Sequence, residues 1–125
     1  MTRYAAIGIG VWAAATIALR LAGAFVFAHP LPLFAVSFFA MVALALVVLP
    51  RADAGTRARA AIALATPGML LDAVSASAFN SGFPNIRADA AGLFGGWLLF
   101  CNAVVLVAAV AVRRDASRDR AAAAR

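Results

Sequence analysis

The chain has 125 residues, of which 66% are hydrophobic and only 13% charged, and its mean hydropathy is +0.96. Soluble domains are about half apolar and about a quarter charged, and so short a chain hides only about two-thirds of its surface on folding. The excess excludes an ordinary water-soluble enzyme and makes lipid part of the solvent. The formal net charge is +6, from eleven basic residues, all arginine, against five acidic ones. In a soluble protein that balance suggests nucleic acid. Beside hydrophobic spans, arginine instead sets orientation and meets anionic lipid, so membrane lipid and not nucleic acid is the expected partner. The abundance of alanine, with arginine as the one long basic residue, matches the coding bias of GC-rich bacteria. Cys101, the single cysteine, excludes an internal disulfide and any Cys-rich metal or iron–sulfur centre.

Four hydrophobic stretches follow in chain order, at about 4–28, 31–49, 60–79 and 91–112. About 20 helical residues cross a hydrocarbon layer of about 30 Å. Each stretch approaches or exceeds that length, and none shows the alternation of a membrane barrel strand. The first resembles a secretory signal in having Arg3, an apolar run and small residues near Ala28. Its length and the interruption by Arg20 favour a retained anchor. The links are short: HPLP at 29–32, the charged RADAGTRAR at 51–59, and NSGFPNIRAD at 80–89, with turn-forming Asn, Ser, Gly and Pro. The expected architecture is all-α, an integral membrane four-helix bundle over 1–112 followed by a basic cytoplasmic tail over 113–125. Nine arginines (3, 51, 57, 59, 113, 114, 118, 120 and 125) fall on one side of a four-pass topology and only Arg87 on the other. The positive-inside rule then puts both termini in the cytoplasm, in a bacterial inner membrane.

Two charges fall inside the spans. Arg20 precedes Ala28 by eight residues, and Asp72 precedes Asn80 by eight, so each lies about 12 Å below the same membrane face. Isolated charges are costly in hydrocarbon and face protein or a water-filled cavity. A direct ion pair fixing helix register is the leading expectation. A ligand or proton pathway, or arginine snorkelling, stands as its alternative. Pro67 and Gly68, in TPGMLLD at 66–72, predict a kinked or broken third helix just below Asp72. His29, Asn80, Ser81, Asn85, Arg87 and Asp89 collect at the far edge. His29, Asn80 and Asn85 could extend the Arg20–Asp72 layer into a polar ligand-binding cleft. His29 lacks companion ligands, so no metal or cofactor is expected, and no serine has an evident His base. Gly92 and Gly96 form a small-xxx-small pair that allows close helix approach within the bundle or between subunits, and Pro84 punctuates the last turn.

WAAATIALRLAG in the first span, PGMLLDA at 67–73, FPN at 83–85 and GGWLLF at 95–100 resemble a small bacterial family of four-span membrane proteins of unknown function. The resemblance covers nearly the whole chain. It implies that Arg20, Pro67, Gly68, Asp72, Pro84 and Asn85 belong to a family core, and it supplies no reaction. The leading functional expectation is a structural or accessory inner-membrane protein, as a subunit of a larger complex or as a homo-oligomer. The alternatives are a small oligomeric transporter or channel, and a lipid- or quinone-binding membrane enzyme. Small multidrug transporters share the size and span count, but they carry a glutamate in the first helix, where this chain has Arg20.

Overall fold

The computed structural model describes residues 1–53 and 55–123, with side chains through Ala111. The side chains of the basic tail expected over 113–125 lie outside the described residues. The chain forms α1 (Thr2–Phe27), α2 (Pro30–Val48), α3 (Arg57–Ser77), a single turn α4 (Phe79–Gly82) and α5 (Ala91–Ala123). Short 3-10 turns at Leu49–Arg51 and Ala88–Ala90 extend α2 and lead into α5. Among the described residues, four helices are long and apolar enough to cross a membrane, and the protein is an all-helical, multi-span membrane protein.

Local sequence explains the boundaries. Pro30 opens α2 at its first position, where a missing N–H costs nothing. Helical structure continues through Pro67 and Gly68, since the proline's fixed φ is itself close to helical. The break in the third span comes later than the proline suggests. It falls at Ala78 (φ −101°, ψ 23°), where the chain turns off α3 into α4.

Around the bundle the order is α1, α3, α5, α2, with the ring closed by a much slighter contact between α1 and α2. Two separate clusters hold it together. At the end carrying the N-terminus, Tyr4, Leu49, Ala60, Ala61, Leu64 and Ala109 pack closely. Gly8 is essential to that approach, because a methyl group there would collide with the Leu64 carbonyl. At the opposite end Phe27, Phe79, Phe83, Phe94 and Trp97 fill the space with rings. Phe94 is their hub, with ring centroids 4.9 Å from both Phe79 and Phe83. The segment after α4 folds back over this end and inserts Phe83 and Ile86. Gly23 lets it in: a Cβ there would lie 2.7 Å from the Ile86 side chain.

Large apolar side chains such as Leu21, Phe25, Leu31, Phe39 and Leu99 point outward. In water such a surface would drive aggregation; in a bilayer it meets acyl chains.

Candidate functional site

Between the two clusters the four spanning helices line a partly open cavity of about 270 Å³. Small residues open it: Ala15 on α1, Ala40 on α2, and Ala65 and Gly68 on α3. A Cβ built at Gly68 would meet nothing within 4 Å. Both tryptophans of the chain, Trp12 and Trp97, line the space together with Phe83 and Phe94. The Trp97 indole N–H donates to the Ser37 hydroxyl at 2.8 Å, a buried tie between α5 and α2.

Asp72 is the one carboxylate in the lining, and it is half-buried. Asn102 on α5 donates through Nδ2 to Asp72 Oδ2 at 2.9 Å and, through the same amide, to the Leu98 carbonyl at 2.9 Å. Both amide hydrogens are thereby used, and the carboxylate is held across the α3–α5 interface. Asp72, Leu98 and Asn102 also border a shallower groove of about 240 Å³ on the flank of α3 and α5, with Gly95 and the exposed Met69 and Leu99. The carboxylate thus stands in the wall between an interior cavity and a surface facing lipid.

The expected ion pair does not form. Arg20 is exposed, and the one salt bridge among the described residues joins Arg87 to Asp89, with Nη2 2.6 Å from Oδ2. Helix geometry supplies the reason. Leu19, about 100° around α1 from Arg20, lines the cavity, whereas Arg20 itself is exposed. Matching depth put the two charges at one level, but their faces diverge.

Of the five residues expected to share a polar cleft, Asp72 lines this cavity, and Arg20, His29, Asn80 and Asn85 do not. His29 caps the start of α2, is exposed, and donates through Nδ1 to the Phe25 carbonyl at 3.0 Å. Asn80 is exposed on α4. Asn85 is half-buried and donates to the Leu19 carbonyl at 2.8 Å, fastening the folded-back segment onto α1. Pro84 is exposed in that segment. Gly92 and Gly96 face outward, and a Cβ at either would meet no atom within 4 Å, so the close approaches inside the bundle belong to Gly8 and Gly23 instead.

Arg87 and Asp89 form a bidentate pair on the surface, 85% and 65% exposed, and the hydrogen bond to Asp89 raises the guanidinium above its ordinary value. So exposed a pair contributes little to stability. No group of three metal-ligating side chains occurs among the described residues.

A family model described as a family of unknown function, DUF5367, matches residues 25–116. No curated protein and no solved structure matches the chain.

Proposed function

The chain belongs to the DUF5367 family of unknown function, and on that premise we propose that it is a carrier-type membrane protein that takes a small lipophilic molecule into the cavity between its spans. The cavity carries this reading. Bundles held by packing alone close on their own side chains, because voids forfeit dispersion contacts. Here glycine and alanine keep a space of about 270 Å³ open at mid-span, just under the range of roughly 300–1,000 Å³ usual for small-molecule sites. Its lining pairs an apolar wall with few polar groups, the usual makeup of such sites. The slight α1–α2 contact supplies a seam, and Val36 on α2 both lines the cavity and is 68% exposed. A ligand dissolved in the bilayer reaches the site along that seam.

The second reading is an accessory subunit or homo-oligomer. Gly92 and Gly96, outward-facing with open space beside them, suit the close approach of another helix. The arginine distribution supports a bacterial inner-membrane location with both termini cytoplasmic, because the N-terminus, Arg51 and Arg57 share one end of the bundle. Arg3 donates there to the Arg51 carbonyl at 3.1 Å.

The test is ligand titration of the protein in lipid nanodiscs, following emission from Trp12 and Trp97, for wild type and Gly68→Leu. The carrier reading expects small aromatic probes to alter wild-type emission saturably and Gly68→Leu, folded but with its cavity filled, not to respond. Equal responses from both proteins would place binding outside the cavity and overturn it.

A further inference from the structure

The polar part of the cavity is lopsided in charge. Asp72 contributes a carboxylate, and among the described residues no arginine or histidine lines the space with it. Asn102 engages Oδ2, whereas Oδ1 accepts no hydrogen bond from any described residue. Asn102 orients the carboxylate without neutralising it, because an amide carries no net charge. Arg20, the basic residue nearest in depth, is exposed on α1 and makes no ion pair with Asp72. An ionised carboxylate at such a site lacks a counter-charge, a costly state at membrane depth.

The remaining walls suit what the carboxylate lacks. Trp12, Phe83, Phe94 and Trp97 contribute aromatic side chains to the lining. The Trp97 N–H is already bonded to Ser37, so it is not free to donate to a ligand. Ring faces are electron-rich and attract cations, most strongly when both partners are desolvated. An anionic ligand would meet the Asp72 charge with no guanidinium or imidazole to receive it.

We infer that the cavity binds a small lipophilic monovalent cation, an aromatic or alkyl ammonium, with the Asp72 carboxylate as counter-ion and the tryptophan and phenylalanine rings as its cage. The inference rests on the carrier reading and adds the charge and class of the ligand. Asn102 is a positioning residue that sets the direction of the carboxylate.

The experiment titrates wild-type protein in phosphatidylcholine nanodiscs with N,N,N-trimethylanilinium and with tert-butylbenzene, its uncharged isostere, reading tryptophan emission. The cation is expected to bind at least about tenfold more tightly than the isostere. Asp72→Asn is expected to abolish that preference. Equal wild-type affinities for the two probes would overturn the counter-ion inference and leave the carrier reading standing. No response to either probe from folded wild-type protein would overturn both. A preference retained in Asp72→Asn would also overturn the inference, and the wild-type comparison decides it alone if that variant does not fold.

Discussion

At the end of the bundle that carries the N-terminus the helices close on alanine and glycine; at the other they close on rings. Ala45, Ala60 and Ala61 bring backbones together around Leu49, and α1 touches the Leu64 carbonyl at Gly8. Opposite, Phe27, Phe79, Phe83, Phe94 and Trp97 fill the space between helices, joined by a folded-back segment. The contrast bears on where freedom remains. Lipid tails are as apolar as a leucine, so packing and hydrogen bonding, rather than exclusion of water, hold such helices together. Two firm ends with a small-residue waist leave the middle open, and the one membrane-depth carboxylate lies there.

Substitutions that break this contrast differ in size. Gly8→Val is expected to cost most, about 3 kcal/mol, because backbone meets backbone and neither side has a rotamer to adopt. Reversible unfolding in mixed micelles measures it. Phe94→Ala, read the same way, is expected to cost about 2 kcal/mol. It removes the hub of the ring cluster, but in lipid it forfeits packing rather than water transfer. Ser37→Ala removes the acceptor of the buried Trp97 N–H and is expected to cost about 1 kcal/mol, in keeping with hydrogen bonds between membrane helices. Arg20→Leu is expected to change stability by less than about 0.5 kcal/mol, since the side chain is exposed and outside the bundle contacts. A loss comparable to that of Gly8→Val would restore the register pair that the sequence suggested.

These residues also show what could be read from the chain alone. The four spans were legible because about 20 apolar residues leave little alternative in a bilayer. The break after the third span was legible as turn chemistry near Asn80, although Pro67 pointed to an earlier position. The depth of Asp72 could be computed from helix rise, and its place in the cavity agrees with the rule that such charges face the bundle interior. Its partner could not. Depth follows from counting residues, but rotation about the axis depends on which faces meet, and α1 has small residues on several sides. The pairing of Asn102 with Asp72 depends on α3 packing against α5, which residue spacing does not reveal. Gly8 and Gly23 were hidden for the same reason, among many small residues of which Gly92 and Gly96 fitted a motif better.

The functional reading depends on the open waist, and Cys101 reports on it directly. This native cysteine lines the cavity and is the only one in the chain. The rate of its modification by N-ethylmaleimide in nanodiscs compares the wild type with Gly68→Leu. Labelling of the wild-type thiol is expected to be slow, because only the thiolate reacts, and filling the cavity is expected to slow it a further several-fold with helical content unchanged. Equal rates in the two folded proteins would contradict an open waist.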